Sequence, residues 1–201
     1  MSRTWAVCRR EFAAYFQTPS GYVVTGIFAL LSGLGFCISL LTYARISQAP
    51  GENGYATVPD FEETFLSPWL VYCGLLIMFL SPLLTMRLLA EERSTGTLEM
   101  LLTVPLRDWQ IVLSKYLACF AFYVVMWLPT LLYIPILTVE PRTVLTTYLG
   151  LMLVGAMFLS LGLFISSLVK SQMVAALLSL FFGLIFIVAG FWRPEIGRAH
   201  V

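Results

Sequence analysis

Five apolar runs leave this chain one class of fold. Residues 21–43, 67–89, 110–137, 146–169 and 172–192 are each long and apolar. A helix needs about 20 such residues to cross a hydrocarbon core about 30 Å thick. Only 11% of the 201 residues are charged and 59% are hydrophobic. A soluble domain carries about 25% charged residues, so this chain lacks the polar surface to stay in water. The expectation is an all-α, polytopic membrane bundle. A net charge of +1 offers no basic footprint for nucleic acid.

The exception to this apolar character is residues 88–116, LLAEERSTGTLEMLLTVPLRDWQIVLSKY. They hold Glu91, Glu92, Glu99 and Asp108 with Arg93, Arg107 and Lys115. Ionised groups at the bilayer centre cost several kcal/mol each, so this island belongs in water or at the headgroups. It reads as the part that meets something soluble. Ser94, Thr95 and Gly96 break the helix leaving span two. A two-turn helix over 97–104 then places Leu98, Leu101 and Leu102 on one face. With Gly96 as N-cap, Glu99 reaches back to the cap amide, half of a capping box. Pro105 ends the helix, and Asp108 is placed to cap span three.

Chemistry is conspicuously lacking. There is no Gly-rich phosphate cradle ending in Lys, and the lysines are Lys115 and Lys170 alone. The one histidine is His200. A protease pair at Glu91 and Glu92 would need His or Asn ligands in other spans, and the histidines are not there. No cofactor or metal site is expected in this chain. Cys8, Cys37, Cys73 and Cys119 are widely spaced and read as small apolar filler.

Before the first span, residues 2–17 carry Trp5, Cys8, Phe12, Tyr15 and Phe16 at helical spacing, with Arg3, Arg9, Arg10 and Glu11 largely elsewhere around the helix. This predicts an amphipathic helix lying on the membrane, stopped by Pro19. Residues 44–65, rich in Gly, Pro and acids, predict a loop outside the membrane. Glu140, Pro141 and Arg142 mark a tight turn, and Lys170 marks another. Pro82, Pro129 and Pro135 are expected to kink spans two and three. Thr25, Ser32 and Ser39 are expected to bond back to their own helix. Small residues at Ala175, Ser179 and Gly183, and at Ala156–Ser160 and Gly162–Ser166, predict seams of close helix packing. Arg3, Arg9, Arg10, Arg87, Arg93, Arg107, Lys115 and Lys170 fall on one side of the bilayer. Arg45, Arg142, Arg193 and Arg198 fall on the other, so the N-terminus and the island are cytoplasmic.

The order Glu92, Arg93, Gly96, Thr97, Leu98, Glu99, Leu101, Leu102, Pro105 resembles the signature of the type 2 ABC-transporter permease family. Residues 115–118 resemble that family's start of span three. Arg10, Glu11, Phe12, Tyr15, Phe16, Pro19, Tyr22 and Val23 are similar to the sub-group of gliding-motility and nitrous-oxide-reductase accessory permeases. The resemblance covers residues 1–194. It implies that the island is a coupling helix docking into a separate ATPase subunit, which holds the ATP and Mg. Glu92 and Arg93 would anchor the motif, and the three leucines would seat it. It also implies a second permease subunit, identical or similar, a bacterial cytoplasmic membrane, and export. An alternative is a membrane scaffold that recruits a soluble partner without transport; an ATPase reading frame beside this one would separate the two.

The family resembled has six spans with both ends inside, whereas five are counted here. After Trp192 the chain reads RPEIGRAHV, and residues 195–201 can be spelled by codons matching a common sequencing-library adapter followed by a stop. The expectation is a permease domain over 1–194, incomplete at its C-terminal side, with a non-native tail. As for topology, single cysteines at Asn53 and Ser94, in a background lacking the native ones, will label differently with an impermeant reagent on whole cells. Asn53 is expected to label and Ser94 to stay protected; the reverse inverts the topology.

Overall fold

A computed structural model describes residues 2–17, 19–48, 60–86, 108–136, 141–169 and 171–198. Among these it contains six α-helices and no strand. They are α1 (Ser2–Gln17), α2 (Pro19–Gln48), α3 (Ser67–Thr85), α4 (Asp108–Trp127), α5 (Pro141–Leu168) and α6 (Gln172–Arg198). Five helical stretches are long and apolar enough to cross a membrane: Gly21–Gln48, Glu62–Thr85, Trp109–Tyr133, Pro141–Leu168 and Gln172–Gly190.

The boundaries differ from the sequence reading where local chemistry allows helix to continue. α2 has 30 residues, about 45 Å at 1.5 Å each, so it runs through the start of the expected loop. That loop is also shorter at its far end. Asp60 accepts the Glu62 N–H at 3.1 Å and starts a π turn, Glu62–Leu66, that feeds directly into α3. Ser67 N–H closes on Glu62 O five residues back, beside Pro68, which has no N–H to give. Pro141 is the first residue of α5, where a missing N–H costs nothing, rather than the middle of a turn. The expected end of span two at residue 89 and the turn marker Lys170 lie outside the described residues. α6 stays helical through Arg198.

The prolines act by two different routes. Pro82 sits inside α3 and leaves the Met78 carbonyl without its usual donor, and Ser81 Oγ donates to that oxygen at 3.3 Å. At Pro129 the α-helix instead tightens into a 3-10 segment, Leu128–Ile136. Span three therefore changes pitch.

α3 is the hub, packed against α2, α5 and α6, and α4 packs against α1, α2 and α5. The core joins Phe28 and Phe36 of α2, Trp69, Cys73, Ile77 and Met78 of α3, Phe122, Tyr123, Met126 and Trp127 of α4, and Phe158 and Leu159 of α5. Cys73 and Cys119 are buried, whereas Cys37 is exposed on α2. Thr25 and Ser32 hydroxyls donate to Gly21 O at 2.9 Å and Ala29 O at 3.2 Å, one turn back in their own helix.

Polar groups hold span three, α4 and the 3-10 segment after it, to α5 at three levels. Tyr116 Oη donates to Ala156 O at 3.2 Å, Tyr123 Oη to Leu151 O at 2.8 Å, and Thr130 shares a 3.0 Å hydrogen bond with Tyr148 Oη. Residues 116 and 123 are seven apart, two α-helical turns, and Thr130 in the 3-10 segment continues their line along an antiparallel partner. Between α3 and α2, Tyr72 Oη donates to Leu31 O at 3.1 Å.

In two of these contacts glycine opens the way. A helical Cβ tilts toward the N-terminus, so the side chain at i+4 lies over the carbonyl of residue i. Gly35 follows Leu31 by four, and Gly155 follows Leu151 by four. A methyl group at Gly35 would run into the Tyr72 ring, and one at Gly155 into the Tyr123 ring. We expect Gly155→Val to destabilise the bundle by about 1–3 kcal/mol through overpacking. Tyr123→Phe removes only the hydrogen bond, worth about 0.6 kcal/mol in a membrane. Unfolding in detergent micelles measures both; equal effects would argue against a steric role for Gly155.

Candidate functional site

The charged stretch expected to couple to an ATPase, with Glu92, Arg93, Gly96, Thr97, Leu98, Glu99, Leu101, Leu102 and Pro105, lies outside the described residues. What the structure does describe is how its two flanks are held. α3 ends at Thr85, with Met86 N–H closing on Pro82 O, and α4 begins at Asp108. Both flanks are touched by one element, α1.

α1 was expected to lay its aromatic face on lipid. That face instead packs along α4, because α4 offers a matching aromatic surface. Tyr15 stacks on Phe122 with ring centroids 4.7 Å apart, and Phe16 meets the same ring edge-on at 5.5 Å. Arg9 and Arg10 remain exposed, as does Trp5. Tyr15 Oη crosses to the other flank and donates to Leu84 O of α3 at 3.3 Å. Burial foremost pushes the Tyr15 phenol well above its usual range, with the Cys119 thiol and Glu11 adding to it, so it stays a donor. Cys8 is also buried here, and its thiol is raised by burial and then by Glu11.

Glu11 and Lys115 correct the sequence reading twice. Glu11 was grouped with the outward charges of α1, and Lys115 with the water-exposed island. Lys115 Nζ lies 3.6 Å from Glu11 Oε2, with the lysine side chain 3% exposed and the glutamate 18%. Glu11 Oε1 also accepts from exposed Arg10 at 3.0 Å. Covered by α1, Lys115 sits inside the bundle two turns into α4, and a carboxylate follows it there. The signal was present in the sequence. Lys115 falls within an apolar run, and such a charge needs a partner.

The expected packing seams separate into two kinds. On α6, Ala175, Ser179 and Gly183 are all buried, and a methyl at Gly183 would press on Met78 of α3 at 2.9 Å and Phe158 of α5 at 3.4 Å. Ser179 Oγ donates to Ala175 O at 2.8 Å. On α5, Ser160 is exposed and Ala156 only half-buried. The buried row is Gly155, Leu159, Gly162 and Ser166, with Gly162 closed by Thr85 of α3. Gly162 and Ser166 are buried as the spacing predicts, whereas Ala156 and Ser160 give way to Gly155 and Leu159, one position earlier. Among the described residues no cluster of three or more His, Cys, Asp or Glu could hold a metal.

Residues 39–193 match the family described as "ABC-2 family transporter protein". The chain belongs to the ABC-2 transporter family. The match begins within α2, so it takes in the charged stretch and all of α3, α4 and α5, but not α1, which the sequence resemblance had included. No curated protein and no solved structure matches the chain. Membership in the ABC-2 family makes this a multi-pass membrane permease subunit rather than an enzyme.

Glu11→Gln leaves Lys115 without its carboxylate and is expected to cost about 3 kcal/mol. Adding Lys115→Met to it should recover most of that loss, since two matched charges are then removed together. Unfolding of the single and double variants in micelles measures the difference; additive losses would mean that the two side chains do not interact.

Proposed function

We propose that this chain is the membrane-spanning subunit of an ATP-driven ABC exporter in a bacterial cytoplasmic membrane, with its N-terminus in the cytoplasm. It forms the translocation path with a second permease subunit, identical or similar, and is driven by a separate ATPase subunit that carries the ATP and Mg. The reading is carried by the family match over residues 39–193, which encloses a charged stretch between two apolar spans.

The family resemblance implies the mechanism. Glu92 and Arg93 anchor the stretch, and Leu98, Leu101 and Leu102 seat its short helix in the bundle or the ATPase cleft. ATP binding favours one arrangement of the ATPase pair over the other, and this difference in affinity sets the equilibrium of the spans. Packed helices cannot deform continuously, so the push is passed on as rigid-body motion of α3 and α4. Small residues on α6 and α5 keep backbones close there, giving stiff contacts along which helices can shift together.

Gly96→Leu and Glu92→Ala are each expected to abolish partner-stimulated ATP hydrolysis while leaving membrane insertion intact. Reconstitution of the co-purified complex in vesicles measures this. Full stimulation in both variants would show that the stretch does not couple, and would favour a scaffold.

A further inference from the structure

Three observations converge on α1. Its Glu11 reaches Lys115 of α4 at 3.6 Å. Its Tyr15 hydroxyl reaches Leu84 O of α3 at 3.3 Å. The Tyr15 ring meanwhile stacks on Phe122 of α4 at 4.7 Å. Leu84 stands just before residues 87–107, and Lys115 two helical turns after them. One short helix is therefore fastened to both helices that emerge from the coupling stretch, and it is the element outside the family match.

We propose that α1 is a strap that sets the spacing of α3 and α4 across residues 87–107, with Glu11, Lys115 and Tyr15 as positioning residues that make a push on that stretch move both helices together. The proposal rests on the coupling role of that stretch. The physical reason is one of stiffness. A stretch joined to two independent helices moves whichever yields first. With α1 bonded to both, displacing either alone must break a shielded ion pair or the Tyr15–Leu84 hydrogen bond. Lys115 is 3% exposed, so water cannot readily replace the carboxylate. The Leu84 carbonyl lies in the last turn of α3, and its two lone pairs let it accept the tyrosine. The arrangement also explains why α1 turns its aromatic face inward and leaves Arg9 and Arg10 outside.

The test places spin labels at Leu83→Cys and Trp109→Cys, both exposed and one on each flank, in a background with the native cysteines replaced. Double electron–electron resonance in lipid vesicles then reads the α3–α4 spacing at positions that are not part of the strap. A narrow distance distribution is expected in the parent, broadening in Glu11→Gln and in Tyr15→Phe. The swap of Glu11→Lys with Lys115→Glu should narrow it again, which recovery of stability alone would not require. An unchanged distribution in the Glu11→Gln, Tyr15→Phe double variant overturns the strap. In the complex with its co-purified ATPase, the strap variants should retain the ATPase but lose roughly five- to tenfold of the stimulated hydrolysis, the size of a typical coupling between sites. Broadened spacing with full stimulation overturns the positioning role, provided that Gly96→Leu abolishes stimulation in the same assay. Should Gly96→Leu leave stimulation intact, the coupling reading has failed, and the positioning role with it, while the distance measurement still decides whether α1 is a strap.

Discussion

A tyrosine hydroxyl donated to a carbonyl that is already bonded within its own helix is the contact on which this bundle depends. The carbonyl has two lone pairs, so the second bond is made without breaking the helix. Lipid gives no hydrophobic drive for helices to associate, which leaves close packing and such polar clips to hold them. Tyr72 fastens α3 to α2, and Tyr116 and Tyr123 fasten α4 to α5. Each clip is worth little alone. Their value lies in register, because a slip along the seam would leave a phenol without an acceptor in an apolar interior.

Gly35 and Gly155 show how sequence and packing meet in these clips. Each stands four residues after the acceptor, where any larger side chain would cover the oxygen and collide with the incoming ring. The same economy holds at Gly162 against Thr85 and at Gly183 against Met78. Small residues are thus distributed by what approaches them from the neighbouring helix. Spacing of small residues in one chain segment cannot distinguish two adjacent rows, which is why Ala156–Ser160 was read where Gly155–Leu159 packs.

The end of the bundle that carries the charged stretch is built on a different principle. There a charge has been taken into the packed interior and answered by another. Lys115 and Glu11 come from helices far apart in the chain, brought together because the aromatic face of α1 matches that of α4. A buried pair of this kind adds little net stability but makes separation costly. That property suits the transmitting joint proposed here.

The class of fold, the five spans and the charged break between the second and third were legible in the sequence, because bilayer thickness sets helix length and ionised groups are excluded from hydrocarbon. The order of Gly, Thr, Leu and Glu in that break pointed to the family that residues 39–193 match. Helix ends were read less well: α2 outran its predicted end, and Pro141 began a helix where a turn was expected, since a proline's effect depends on which backbone donors are already unused. Tertiary structure alone decided the facing of α1, the pairing of Glu11 with Lys115, and which row of α5 is buried. These depend on which surface a second helix presents, and no periodicity within one segment contains that information.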